Sequence, residues 1–98
     1  MLQYKPAIPP EVQEVISHLP PGLKRSVRSA IRALAANPNT GDLLHDDLEG
    51  LRKYRVRRYR IVYRVMATAR VVQILAVGER RTIYEELAQK ARADRGES

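Results

Sequence analysis

Between Arg52 and Arg64 the chain carries Arg52, Lys53, Arg55, Arg57, Arg58, Arg60 and Arg64, with no carboxylate among them. A guanidinium presents a planar fork of donors that matches phosphate oxygens two at a time, so this run suits a polyanion. Its chemistry would be stabilisation of negative charge at a phosphate. Residues 1–51 hold five basic and six acidic side chains and residues 52–98 hold thirteen and five, so the two parts contribute −1 and +8 to the net +7. A solubilising surface mixes both signs, whereas here the sign is single. Nucleic acid is the leading partner class for such a charge distribution.

Other residues able to move protons are scattered. His45 could serve as a general acid or base, but it falls in a loop-like stretch where a solvated role is the simpler reading. His18 ends a helical pattern and suits the negative end of a helix dipole. Glu79 beside Arg80, and Glu49, read as local ion-pair partners. There is no cysteine, hence neither a disulfide nor a thiolate zinc site, and the two histidines lie far apart, so no metal and no cofactor are expected. No Ser-His-Asp set, phosphate-cradling glycine loop or carboxylate pair can be defended.

The elements that must position the basic run are legible from periodicity. Val12, Val15, Ile16 and Leu19 form one helical stripe entered through Pro9 and Pro10 and ended by Pro20, Pro21 and Gly22. Leu23, Val27, Ala30, Ile31 and Leu34 form a second, which Pro38 forbids from continuing. Residues 39–50 read as a loop, with Leu43, Leu44 and Leu48 as anchors. After Gly50 the period becomes two. Tyr54 and Val56, then Tyr59, Ile61, Tyr63 and Val65, alternate with basic residues and predict two strands, and Val71–Val77 predicts a third beyond a turn at residues 67–70. Thr82 and Glu85 fit a capping box for a final helix whose inward face is Ile83, Leu87 and Ala91, with a frayed tail from about residue 93. Leu2–Ile8 reads as an edge strand.

The order β-α-α-β-β-β-α predicts one α+β domain over residues 1–98, in which a helical hairpin covers one face of a small antiparallel sheet. Burying the apolar set then projects Arg55, Arg57, Arg60 and Arg64 together from the opposite face. Tyr54, Tyr59 and Tyr63 are expected in the core rather than as base-stacking platforms. No apolar run is long enough to span a bilayer, and Met1–Pro10 lacks the plan of a signal peptide, so a cytoplasmic protein without a membrane partner is expected.

The stretch LEGLRKYRVRRYRIVYRV followed by VVQILAVGERRTIYEEL, spanning residues 48–87, resembles the RelE/ParE superfamily of bacterial toxin-antitoxin toxins, and most closely its RelE branch. The helical hairpin at 11–37 agrees with that family's layout. The resemblance implies a metal-free endoribonuclease that enters the ribosomal A site and cuts messenger RNA. In that chemistry the 2′-hydroxyl attacks the adjacent phosphate and leaves a 2′,3′-cyclic end. It places Arg55 and Arg57 on the first meander strand, Arg60 after the turn, Arg80 after the Val-Gly pair and Tyr84 in the catalytic group. Arg52, Lys53, Arg58, Arg64 and Arg81 are then contacts to RNA.

The best-known relatives carry lysines where this chain has Arg55 and Arg57, and arginine is a poor general base. Two routes stay open. Nearby cations would favour a phenolate at Tyr84, which could relay the 2′-hydroxyl proton, or the arginines act by positioning and charge stabilisation alone. The resemblance also implies a cognate antitoxin in a hetero-oligomer, with ribosome and mRNA as the other partners. A ParE-like toxin that binds DNA gyrase without nuclease chemistry is the alternative.

Overall fold

The computed structural model describes residues 3–94, with the side chains of Asp47, Arg80, Arg81, Thr82, Ala91 and Asp94 excepted. The elements run β1 (Lys5–Ala7), α1 (Pro10–Ser17), α2 (Pro21–Ala36), β2 (Asp42–Leu43), β3 (Arg52–Val56), β4 (Tyr59–Met66), β5 (Val71–Glu79) and α3 (Arg80–Asp94). Short 3-10 turns lie at Pro38–Thr40 and Asp46–Leu48. Each of α1 and α2 begins with proline at its first position, where the missing N–H has no intrahelical partner to lose.

The helical hairpin and the three-strand meander fall where periodicity put them, but the sheet is mixed rather than antiparallel. Its order is β1-β5-β4-β3-β2, and β1 pairs parallel to β5. Antiparallel pairing joins the rest. A chain that leaves β1, makes two helices and returns through a meander reaches β5 from the same end, which is the crossover geometry a parallel pair requires. Part of the expected loop at 39–50 forms β2, which pairs Asp42 with Lys53. The last helix begins at Arg80, so Thr82 stands in its first turn and not at its cap.

Both faces of the sheet are partly covered, which the alternation alone did not foretell. On one face α1 and α2 pack thirteen buried residues with the sheet, including Ile16, Val27, Leu34, Ile61, Tyr63 and Ile74. At about 2 kcal/mol for each large apolar side chain buried, this face carries the fold. The other face holds a smaller cluster of Leu48, Leu51, Val62 and Ile83, with Tyr84 and Leu87 of α3 packed against it. A β-bulge enlarges that second cluster. Val62 pairs with Ala76 and Tyr63 with Ile74, so Leu75 is the extra residue, and Leu75 and Ala76 both join the α3 side.

Tyr63 is fully buried, and its polar tip is tied down. Its hydroxyl accepts from the Gly41 N–H at 2.9 Å and donates to the Pro38 carbonyl at 2.7 Å. Burial raises the phenol above its ordinary 10.0. The unfolded chain therefore ionises this group first, so its contribution to stability is complete below pH 10.0 and falls away as the pH climbs toward the folded value. The difference in urea midpoint between the parent chain and Tyr63→Phe should accordingly shrink above about pH 10 relative to about pH 8.

Candidate functional site

Strand pairing decides which basic residues meet. Tyr54 and Val56 point into the helical core, so Lys53 and Arg55 point to the α3 side of the sheet. Across the ladder Lys53 faces Val62, and Arg55 faces Arg60. Directly opposed strand residues hold their Cβ atoms about 5 Å apart, and like charges in that position destabilise the pair by a few tenths to about 1 kcal/mol. Arg60 is in turn paired with Gly78 of β5. A Cβ placed on that glycine would lie 3.5 Å from the Ile83 Cβ, so the first turn of α3 stands over the strand next to Arg60.

Asp42, Lys53, Arg55 and Arg60 line a recess of about 160 Å³. Its volume is roughly five times a water molecule's share of liquid, enough for a phosphate group. Among the described residues none of Lys53, Arg55 and Arg60 makes an ion pair. Arg60 Nη1 donates to the Tyr59 carbonyl at 3.3 Å, and Arg55 Nε donates to the Arg57 carbonyl at 3.0 Å. Each guanidinium thus keeps most of its donors for an anion. Asp42 was not singled out from the sequence, because only the β2 pairing brings it opposite Lys53.

The other expected residues disperse. Arg57 does not continue the strand: alternation stops at Val56, and Arg57 is the first of two residues in the β3–β4 turn, with φ 56°. Its guanidinium turns toward the start of α2, where a Cβ on Gly22 would be 4.0 Å from Arg57 Nη1. It lines a second groove of about 670 Å³ between α2 and β3, together with Arg25 and Arg55. The expectation that Arg57 shares the outward face with Arg60 is therefore corrected. Arg58, the second turn residue, is exposed. Arg64 is exposed on the same face as Arg60, but Val62 and the α3 cluster stand between them. Arg52 donates to the Gly41 carbonyl at 2.6 Å and so anchors the loop that carries Asp42. The Arg80 and Arg81 side chains lie outside the described residues.

A side chain with a Cβ is strained at positive φ, and among the described residues the hydrogen bond that Arg57 makes in this turn is its carbonyl's with Arg55 Nε. Glycine would relieve that strain. Arg57→Gly is expected to raise unfolding free energy by about 1 kcal/mol in urea titration.

Tyr84 belongs to the second cluster by its ring, and its hydroxyl is buried with no hydrogen-bond partner among the described residues. The phenol is therefore not an open groove residue; reaching a substrate proton needs α3 to shift. An unpaired buried hydroxyl costs about 1–3 kcal/mol, so Tyr84→Phe should stabilise the fold, by about 1 kcal/mol in thermal or urea unfolding. If the phenol relays a proton, the same variant loses cleavage rate while gaining stability, a combination that a packing role alone does not give.

Among the described residues no group of three or more His, Cys, Asp or Glu is placed to hold a metal ion, and no described helix is long and apolar enough to cross a membrane.

Residues 8–84 match the family model described as the ParE toxin of the type II toxin-antitoxin system, parDE. No curated protein matches the chain. Among solved structures, the RelBE2 toxin-antitoxin complex of Mycobacterium tuberculosis is similar with 27% identity and a TM-score of 0.73, over 82% of this chain and 94% of that one. A mutant of the E. coli toxin RelE in the free state shares the fold with 18% identity and a TM-score of 0.75, covering 95% and 98%. The archaeal RelE–RelB complex of Pyrococcus horikoshii does so with 23% identity and a TM-score of 0.68, covering 83% and 99%.

Proposed function

This chain belongs to the ParE toxin family of type II toxin-antitoxin systems, within the RelE/ParE superfamily, and from that membership we propose that it is a RelE-type endoribonuclease acting on messenger RNA in the ribosomal A site. The observation that carries the reading is the pairing of Arg55 with Arg60 across adjacent strands, beside Lys53, in one recess. Cations set face to face repel each other unless an anion sits between them. A scissile phosphate supplies that anion, and the additional charge that develops on its oxygens during attack is held more tightly than the ground state.

In this mechanism the 2′-hydroxyl oxygen bonds to phosphorus in line with the departing 5′-oxygen. The P–O5′ bond breaks, the departing 5′-oxygen takes a proton from solvent water, and the products are a 2′,3′-cyclic phosphate and a 5′-hydroxyl. Arg55 and Arg60 donate to the non-bridging oxygens. Arginine cannot take the 2′-hydroxyl proton. Asp42 is the carboxylate lining the same recess and is the acceptor this reading favours. The ribosome orients the message. An antitoxin keeps the toxin inactive in the cytoplasm; the relatives that are toxin-antitoxin complexes support such a partner.

A second reading has its own support, because the matched family description is that of ParE. In it the chain inhibits DNA gyrase by binding, with no cleavage chemistry. Incubating the protein with translating ribosomes and mapping RNA ends separates the two. The nuclease reading expects new ends within the A-site codon carrying a 2′,3′-cyclic phosphate. Intact message together with blocked supercoiling would replace it by the gyrase reading.

A further inference from the structure

The chain's acidic side chains are few, yet Glu11, Glu79 and Glu86 gather at one groove. This groove lies along β5, adjoins the strand position paired with Arg60 at Gly78, and encloses about 470 Å³. Its floor is residues 75–79 of β5. Val12 and Val15 of α1 form one wall, and Ile83 and Glu86 of α3 the other. Val15 is 43% exposed, unusual for a valine on a helix whose neighbours Val12 and Ile16 are buried.

The backbone at the floor is unpaired on one side. β1 covers β5 only from Val71 to Gln73, and the chain then turns away through Pro9 and Pro10 into α1. Proline has no N–H to offer a ladder, so β1 cannot extend along the rest of β5. Beyond Gln73, β5 has β4 on one flank and, among the described residues, no strand on the other. A strand edge between two helices, with apolar walls, is the setting in which an extended peptide adds a strand through main-chain hydrogen bonds.

We propose that the β5 edge groove is a peptide-docking site for an extended, apolar segment of another protein that carries lysine or arginine at its ends. Charge complementarity selects this occupant. Glu11 and Glu86, one from each flanking helix, attract cationic flanks and repel a nucleic-acid backbone. A second copy of this chain, docking the same edge two-fold, would set Glu11, Glu79 and Glu86 against their own counterparts. Valine-like side chains alternate into the space between Val15 and Ile83. The groove and the basic recess have no lining residue in common, so the inference stands whichever activity the toxin has.

The test uses the full chain, isotope-labelled, and two synthetic peptides of about nine residues with alternating valine and threonine, a usual strand length. One carries lysine at both ends and the other glutamate. The lysine-ended peptide is expected to shift the amide signals of residues 74–79 and to slow their hydrogen exchange. The glutamate-ended peptide should leave them unmoved. The double variant Glu11→Lys with Glu86→Lys alters exposed helix positions, so the fold persists, and it should weaken the lysine-ended peptide about tenfold. No perturbation at 74–79, equal response to both peptides, or shifts that depend on protein concentration without peptide would overturn the proposal, the last in favour of self-association.

Discussion

Arg60→Ala should lower the rate of message cleavage by about a hundred- to a thousandfold while leaving the fold at least as stable as before. The rate loss follows from removing one fixed donor aimed at developing phosphate charge, an effect worth about 3–4 kcal/mol in comparable sites. The stability expectation is opposite in sign because Arg60 faces Arg55 across the ladder, and losing one of two opposed cations relieves repulsion. Arg60→Lys separates charge from geometry: an ammonium keeps the charge but loses the two-pronged grip, so an intermediate rate is expected. Single-turnover cleavage on programmed ribosomes, paired with urea titration of the same preparations, reads both quantities. A fully active Arg60→Ala chain would remove the recess from the chemistry.

Gly41→Ala should be the most damaging small substitution for stability, with an expected cost of about 3 kcal/mol or more, from overpacking together with loss of a buried hydrogen bond. A Cβ at this position would stand 2.5 Å from the Tyr63 hydroxyl and 2.6 Å from the Lys53 carbonyl. Neither neighbour can yield cheaply. The hydroxyl is held between Gly41 and Pro38, and the carbonyl belongs to β3. Total stability for a domain of this size is about 5–15 kcal/mol, so this single methyl removes a large share. Gly50→Ala is the control: its φ of 89° strains any side chain, but nothing lies within 4 Å, and about 1 kcal/mol is expected. Equal urea midpoints for the two variants would mean that the loop can swing away from Tyr63. Because Arg52 is bonded to that loop and Asp42 lies next to Gly41 in it, Gly41→Ala should also lower activity at temperatures where the protein is still folded.

The helices and the meander were legible because their apolar residues repeat at the periods that burial demands. Val27, Ile31 and Leu34 on α2, and Ile61 and Tyr63 on β4, are buried as their spacing required. The opposed arginines follow from the same parity. What could not be read depends on contacts remote in sequence or on a single residue leaving the pattern. β1 is three exposed residues, and nothing local records that it lies parallel to β5. Asp42 reaches the recess only through a two-residue strand. Arg57 looked like the next outward strand position, and only the turn's left-handed backbone sends it toward α2. The second cluster was hidden because Val62 sits among arginines, and the bulge that gives it Leu75 and Ala76 as companions breaks the alternation.

Ile83 is the one described side chain of α3 that is buried, against thirteen buried residues under the opposite face. On warming, the terminal helix should therefore melt as a separate early step, visible as a loss of ellipticity that precedes the main transition. What it uncovers is Val62, two residues along β4 from Arg60.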